Sequence, residues 1–362
     1  MGINDLSPGG STTTAPARFG PRGPISAALL DLLPRPVEEA VDLPALGHRV
    51  DAALAATPDI LHDDDLQLSL FLLYGLNYGS VVQADDAWEW NPELIAIRGA
   101  IERVFEAALR ERVPAVPLPP ANREAVAEAL FDLTKPSTGP SLSKYVARQA
   151  TDEQLHELVI QRSVYTLKEA DPHSWGIPRL NGRAKAAMME IQADEYGGGN
   201  AERMHSGIYA GLMRLLGLDA TYGAYVDHVP AITLTSLNMS SMFGLNRRLR
   251  GAMCGHLAAF EMTSSIPCRF YGNGFRRLGY GADVTWYYDE HVEADAVHEQ
   301  IAGRDLAGSL AEDEPELLAD IFFGANACLT VDGWAGDHIL ESWEAGRSSL
   351  RVALPAAERT SA

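Results

Sequence analysis

Apolar residues recur at helical spacing along most of this chain, and that spacing is the strongest constraint on its fold. After Asn91 and Pro92, which favour a helix N-cap and first helical position, apolar side chains follow at positions 94, 97, 101, 104 and 105. Strict alternation of apolar and polar residues, which marks a half-buried strand, is scarce. The sequence therefore predicts an all-α protein.

The same pattern predicts a series of helices separated by turn-forming segments. Helices are expected at 63–78, from 91 onward, and at 122–133, 152–170, 184–216, 240–264, 284–302 and 315 to about 345. Segments rich in Pro, Gly, Asn, Asp or Ser predict turns at 136–140, 171–176 and 271–274. We expect residues 1–25 to form a disordered tail and residues 26–355 to form one helical domain. That domain divides into auxiliary helices (26–150), core ligand helices (151–302) and a C-terminal helix (303–355).

Composition narrows the classes of function. The chain of 362 residues has a formal net charge of -20, so it lacks the basic surface that displaces counterions from nucleic acid. Its three cysteines, Cys254, Cys268 and Cys328, are too few and too widely spaced for a disulfide framework, and we expect them to be buried apolar residues. The start lacks the pattern of a signal peptide, and no apolar run reaches membrane-spanning length. We expect a cytoplasmic protein.

One polar segment, EIQADEYGGGNAERMH from residue 190 to 205, precedes a strongly apolar run. If the segment is helical, Glu195, Glu202 and His205 project from one side of it. Glu202 and His205 also form a Glu-x-x-His pair, a spacing used by di-iron bundles. Most such pairs are surface residues, but the apolar run after His205 predicts burial, and buried polar groups need partners. The glycines at 197–199 indicate either a helix break or a deformable segment that another helix approaches closely.

A second segment, YYDEHVEADAVH from residue 287 to 298, carries the strongest indication of a metal site. His291, Asp295 and His298 stand at i, i+4 and i+7, so a helix places them on one face. Two imidazoles and a carboxylate in one stripe are typical of metal ligands, although solvated faces of this composition also occur. We predict that all three bind metal.

Two more glutamates complete the candidate set. Glu261 ends an apolar helix, and Glu169 falls on the apolar side of its predicted helix, although each alone would more often be a surface residue. Imidazole and carboxylate together suit iron or manganese better than a structural zinc site. The predicted metal ligands, on four helices, are Glu169, Glu195, Glu202, His205, Glu261, His291, Asp295 and His298.

With these residues the sequence resembles the haem-oxygenase-like di-iron oxidases and oxygenases, also called the iron-containing redox enzyme family. The resemblance covers roughly residues 63–302 and implies a haem-oxygenase-like helical bundle with an N-terminal auxiliary helical layer. Members of that family place an acid on the first core helix, a Glu and a His on the next, a later Glu, and finally an H-x3-D-x2-H helix. These positions correspond in chain order to Glu169, Glu195, His205, Glu261, His291, Asp295 and His298.

The extra carboxylate, Glu202, accompanies the N-oxygenating branch of the family. The resemblance thus implies an O2-dependent, non-haem di-iron N-oxygenase that oxidises an amine nitrogen of a small metabolite to the hydroxylamine, nitroso or nitro level, in the biosynthesis of natural products. Its cofactors would be two Fe ions, with O2 as co-substrate, reduced to the peroxide level, and an external reductant. Its partners would be a small-molecule amine and an electron donor, with no nucleic acid, no membrane and possible homodimerisation. No catalytic residue beyond the metal ligands is predicted.

Other functions remain open at this point. A desaturase or C–C lyase of the same fold would use a similar ligand set, and Glu202 argues against it. A metal-binding helical protein without turnover is a second alternative, and a haem protein of similar fold is a third. A haem needs only one axial histidine, far fewer ligands than are present. Four arginines near the site segments, each more often a surface residue, could pair with a substrate carboxylate: Arg183, Arg269, Arg276 and Arg277.

Overall fold

A computed structural model of the chain describes residues 19–39, 42–79, 83–136 and 139–354, except for the side chains of residues 293–297. Within these ranges the chain is helical and contains no strand, which confirms the all-α prediction. The α-helices are α1 (Pro24–Leu32), α2 (Leu43–Ala56), α3 (Asp64–Gly75), α4 (Pro92–Arg112), α5 (Arg123–Leu133), α6 (Leu142–Arg148), α7 (Asp152–Thr166), α8 (Asp171–Ser174), α9 (Gly182–Glu195), α10 (His205–Leu215), α11 (Ala231–Leu245), α12 (Arg250–Arg277), α13 (Ala282–Gln300), α14 (Ser309–Asp313) and α15 (Leu318–Glu344). A π-helical segment, Ile301–Gly308, joins α13 to α14.

Side-chain caps explain where several helices begin. At the start of α4 the side chain of Asn91 accepts hydrogen bonds from the backbone N–H groups of Glu93 and Leu94. At the start of α7, Thr151 and Gln154 form a reciprocal capping box. Such caps satisfy backbone donors that have no partner inside the helix. They confirm the helix predicted from residue 91 onward.

Two of the predicted helices are divided differently in the structure. The helix predicted at 184–216 is broken into α9 and α10, because Gly197, Gly198 and Gly199 adopt φ angles of 65°, 61° and 85°. The helix predicted at 240–264 combines the end of α11 with the start of α12. Helix α12 then continues through the turn predicted at 271–274, so that prediction is wrong. Its Gly274 is needed for close packing, since a Cβ there would lie 2.8 Å from the carbonyl oxygen of Val146.

Helix α12 lies at the centre of the core, between α13 and α15. Glycines allow α12 and α15 to cross closely: a Cβ on Gly255 would lie 1.8 Å from the carbonyl oxygen of Ile321. The buried apolar side chains form one cluster that extends from Ile25 in α1 to Trp343 in α15. All three cysteines are free and buried, as the sequence predicts.

The first described residues already contact the rest of the protein. The guanidinium of Arg22 lies 2.8 Å from Asp64 and donates to the backbone carbonyls of Val226 and Val229. Residues 1–18 of the predicted tail lie outside the described ranges. The division of the helical domain at residues 150 and 302 stays a prediction. Nowhere in the described ranges does a helix combine the length and apolar character needed to cross a membrane.

Candidate metal centre

Five parts of the core place six of the eight predicted ligands together. Glu169 follows the end of α7, Glu195 is the last residue of α9 and His205 is the first residue of α10. Glu261 belongs to α12, and two histidines belong to α13. The six residues that are buried at this point are Glu169, Glu195, His205, Glu261, His291 and His298.

The first trio consists of Glu169, His205 and His291, and one ligand atom from each lies within 4.8 Å of the other two. Oε1 of Glu169 is 3.9 Å from Nδ1 of His205 and 3.9 Å from Nε2 of His291. The two imidazole rings have centroids 4.4 Å apart. A carboxylate oxygen and two ring nitrogens therefore converge on one point.

The second trio consists of Glu195, Glu261 and His298, whose ligand atoms also lie within 4.8 Å of one another. Nδ1 of His298 is 3.2 Å from Oε2 of Glu261, and its Nε2 is 3.0 Å from Oδ2 of Asp194. Both ring nitrogens of His298 thus face carboxylates. Asp194 is largely exposed at 63% of its side chain, so it marks the outer side of the second trio.

A short contact joins the two trios. Nδ1 of His205, from the first trio, is 3.0 Å from Oε2 of Glu195, from the second trio. A cavity of about 20 Å³ lies beside this contact and is bordered by Glu169, His291, Glu195 and Glu261. Roughly 10–15 Å³ is enough to hold one water molecule, so this cavity has room for one small molecule. The two trios can therefore act as one centre.

Electrostatics follow from burial and from the close opposition of acids and imidazoles. Burial lowers the pKa of His291 to about 4, and the neighbouring His205 lowers it further. Burial also acts to lower the pKa of His298, but its contacts with Glu261 and Asp194 outweigh that effect and raise it to about 10. Burial acts to raise the pKa of Glu195, yet the imidazoles around it bring that pKa below its usual value. Imidazoles that are positively charged or that donate hydrogen bonds thus stabilise the carboxylates at this centre.

Hydrogen bonds around the first trio fix its orientation. Nδ1 of His291 donates to the backbone carbonyl of Tyr287 at 2.7 Å, which leaves its Nε2 free to face Glu169. The hydroxyl of Tyr287 donates to Oε2 of Glu169 at 2.8 Å. Such partners set the tautomer and direction of metal ligands in proteins. Sequence reasoning did not identify Tyr287, because its role depends on a contact between residues 118 positions apart.

Two predicted ligands are not part of either trio. Glu202 is exposed, in a 3₁₀ turn at Ala201–Arg203, and its backbone N–H donates to the side chain of Asn200. The break at the three glycines is the reason, because it ends the helix that would have aligned Glu202 with Glu195 and His205. A ligand role for Glu202 therefore stays a prediction. The side chain of Asp295 lies outside the described residues, although its backbone belongs to α13.

A much larger cavity, of about 570 Å³, reaches the first trio. Glu169 and His291 form part of its wall, together with side chains from α7, α12, α13 and α15. Tyr165 and Phe260 border both this cavity and the small one, and their ring centroids are 5.0 Å apart. The large cavity is the size of a typical pocket for a small molecule. A substrate in it would lie against Glu169 and His291.

The four arginines predicted as carboxylate partners lie elsewhere: all are exposed, and the cavity wall instead contains Arg162 from α7. Arg276, for example, pairs with Asp289 at 2.5 Å. Arg162 was missed because its neighbours in sequence are those of an ordinary amphipathic helix. Its position in the cavity depends on how α7 packs.

The donor set fits iron. Metal bonds to imidazole nitrogen and carboxylate oxygen are about 2.0–2.2 Å long, so two ligand atoms on one ion can be at most about 4.4 Å apart. The 3.2 Å and 3.9 Å separations inside the trios satisfy this limit. Three buried carboxylates close together would repel one another, and cations between them compensate that cost. Three glutamates and three histidines without a cysteine suit iron or manganese.

Comparison with known proteins agrees with this geometry. Residues 156–333 match the model of a family described as iron-containing redox enzymes. The nitrosourea synthase of Streptomyces achromogenes subsp. streptozoticus is 25% identical over 146 residues, which make up 40% of this chain and 31% of that protein. The chain thus matches about a third of that relative's length. Residues 156–333, which carry every predicted ligand, are thus similar to the iron-containing redox enzymes, and this similarity supports an oxidoreductase with a haem-oxygenase-like helical fold.

Proposed function

We propose that the two trios hold two iron ions and that the protein uses them with O2 to oxidise an amine nitrogen of a small metabolite. The observation that supports this function best is the 3.0 Å contact between His205 and Glu195, because it joins two buried ligand trios into one centre. If the two trios hold two iron ions, the chemistry supplied there would be the reduction of O2 to an electrophilic oxidant. An external donor returns two electrons in each cycle. The balance is amine, O2, two electrons and two protons giving hydroxylamine and water.

Within this proposal each trio has a defined task. The first trio, with Glu169 and His291 in the wall of the large cavity, faces the substrate. The second trio, with His298 next to the largely exposed Asp194, faces away from it. Tyr287 holds the carboxylate of Glu169 in place, and the carbonyl of the same residue holds His291. The protein thereby keeps both ligands directed at one point before any substrate binds.

The cavity also influences the protonation state of the amine. An amine attacks an electrophilic oxygen only through its lone pair, so it must lose its extra proton first. The rings of Tyr165 and Phe260, which border both cavities, make that point less polar. A less polar environment disfavours an ammonium ion and lowers its pKa. The neutral amine is therefore favoured where it would react.

Oxidation at nitrogen rather than carbon is the finer part of the proposal. It is supported by the likeness to nitrosourea synthase and by the Glu202 carboxylate of the sequence pattern. The alternative is a desaturase or C–C lyase of the same fold. A protein that binds metal without turnover is a second alternative, and O2 consumption by the Fe(II) protein would exclude it.

The experiment loads the whole protein with Fe(II) in the absence of O2, counts bound iron, admits O2 and screens amines. We expect about two irons per chain, O2 uptake, and a product heavier by one oxygen atom on nitrogen. Mass spectrometry distinguishes that product from an alkene or a cleaved fragment. One iron per chain, or two irons with no O2 uptake, contradicts the proposal. Two irons with a dehydrogenated or cleaved product supports the alternative instead.

A further inference from the structure

Two opposite charges lie deep in the large cavity. Arg162 projects from α7 and Asp332 projects from α15, and both line this cavity. Each side chain is partly accessible, and burial is the largest influence on its pKa. Buried charges are rare unless something pairs with them. Arg162 and Asp332 compensate each other in part, but the pKa of Asp332 stays raised, so the pair can still accept a charged ligand.

Neighbouring side chains hold both charges in place. The hydroxyl of Ser236 donates to Oδ1 of Asp332 at 2.6 Å. Tyr271 is a hydrogen-bonding neighbour of Arg162. A guanidinium has five N–H donors and a carboxylate accepts about four hydrogen bonds, so each group keeps capacity for a ligand. Arg162 and Asp332 are thus positioned in advance, with donors and acceptors to spare.

The position of Arg162 on α7 indicates how long a ligand must be to reach from Arg162 to the first trio. Arg162 precedes Glu169 by seven residues, and the cavity wall also includes Tyr165 and Thr166 between them. At about 1.5 Å per residue, helical geometry puts roughly 6 Å between Arg162 and Thr166 at the end of α7, and Glu169 follows three residues later. A molecule bound at Arg162 must therefore extend several carbon atoms to present a nitrogen at the first trio.

The facing wall of the cavity leaves room for the charged end of that molecule. One helical turn around Asp332 carries Gly333 and Gly336, which also line the cavity. A Cβ on either glycine would meet no atom within 4 Å. Because these two glycines have no side chains, open space lies beside the carboxylate of Asp332, and a ligand's polar groups can occupy it.

We propose that Arg162 binds the carboxylate and Asp332 binds the α-ammonium of an amino acid whose side chain carries the nitrogen to be oxidised. Arginine binds a carboxylate through two parallel hydrogen bonds, which gives both strength and direction. The α-ammonium supplies the positive charge that a buried aspartate needs: burial raises the pKa of Asp332, and Arg162 offsets only part of that effect. The substrate class rests on the proposed function, whereas the binding site for the zwitterion can be tested without it.

The test measures binding to the metal-free full-length protein by calorimetry. The probes are L-ornithine, L-lysine and L-arginine, each with its decarboxylated counterpart, together with 6-aminohexanoate, which is lysine without the α-ammonium. We expect at least one amino acid to bind about 10- to 100-fold more tightly than its decarboxylated counterpart, as for the loss of one charge-assisted pair. Equal affinity within every pair, or no binding of any amino acid, overturns the proposal.

Two variants assign the preferences to residues. Arg162→Gln should remove the preference for the carboxylate, and Asp332→Asn should remove the preference of the protein for lysine over 6-aminohexanoate. The matched control is Lys144→Gln, which removes another cation from the cavity wall and should change affinity less than threefold. Circular dichroism and thermal unfolding identify a variant that fails to fold, and Arg162→Lys then serves as the second test because it keeps the charge but loses the planar fork. A preference unchanged in folded Arg162 variants contradicts the assignment.

The result also separates this site from the proposed function. If amino acids bind with the expected preference but the iron-loaded protein never gives an N–O product, the binding site stands and the N-oxygenase proposal fails. If amines without a carboxylate are oxidised with the same KM as the amino acids, the N-oxygenase proposal stands and the binding site fails.

Discussion

The hydroxyl of Tyr287 offers the sharpest test of how the protein builds its first trio. Tyr287→Phe removes the 2.8 Å hydrogen bond to Oε2 of Glu169. The substitution keeps the backbone carbonyl that accepts a hydrogen bond from His291. It also keeps the contact with the ring of Tyr209, whose centroid is 4.8 Å away. The change therefore isolates one hydrogen bond to one carboxylate.

The expected size follows from the geometry. A buried hydrogen bond to a charged acceptor contributes about 1.5–3 kcal/mol. Since a factor of ten in affinity is about 1.4 kcal/mol, the loss corresponds to roughly 10- to 100-fold weaker metal binding if the bond serves to orient Glu169. Only the ion held by the first trio should be affected, because Tyr287 contacts Glu169 and His291 of that trio, and its other ring contacts are with Tyr209 and Tyr288.

The assay is an anaerobic Fe(II) titration followed by calorimetry, which resolves two binding steps when their affinities differ. Tyr209→Phe is the matched control: it removes an equally short hydrogen bond, 2.8 Å, from a buried tyrosine to the backbone carbonyl of Val159. We expect that control to lower stability by about 1 kcal/mol and to leave both iron affinities unchanged. The reasoning is refuted if Tyr287→Phe binds both irons as tightly as the unchanged protein, or if both variants weaken iron binding equally.

Three further changes test other parts of the molecule. His298→Ala should abolish the binding of two irons per chain, measured by metal analysis after desalting, and retention of both irons with full turnover would show that His298 is not a ligand. Glu202→Ala should alter iron loading or amine oxidation more than Glu190→Ala, which removes a second exposed glutamate nearby; identical behaviour of both variants would remove the special role of Glu202. Gly255→Ala should lower the free energy of unfolding, measured with denaturant, by about 1–3 kcal/mol or more, because its Cβ would lie 1.8 Å from a carbonyl oxygen of α15. The control Gly333→Ala meets no such contact and should be neutral or stabilising by up to about 1 kcal/mol. Equal stability of the two glycine variants would contradict the packing described for α12 and α15.

Periodicity predicts which segments are helical, but it does not say what a glycine does inside them. Gly274 has the sequence context of a turn and instead allows α12 to approach Val146. Gly197 adopts a positive φ and ends a helix, and the sequence left that choice open. In both cases the outcome depends on which backbone comes near, and that information lies in the packing of distant elements.

The same limit applies to the site. Histidines and glutamates at regular spacing on apolar helices can be recognised locally, because burial of such groups requires partners. Tyr287, Arg162 and Asp332 cannot be recognised in this way. A tyrosine in a core helix and an arginine in an amphipathic helix are ordinary residues until the fold brings them beside Glu169 or into the cavity.

The helix break is what makes the centre geometrically possible. On one continuous helix, Glu195 and His205 would be ten residues and roughly 15 Å apart along the axis, too far to meet. In the structure α9 ends at Glu195, the chain turns through Gly197 and two 3₁₀ turns, and α10 begins at His205. The turn brings the two side chains to 3.0 Å, which is the contact that joins the trios. The sequence pattern therefore selected Glu195 and His205 from a continuous helix that the glycines prevent. The same break that leaves Glu202 outside both trios lets Glu195 and His205 meet.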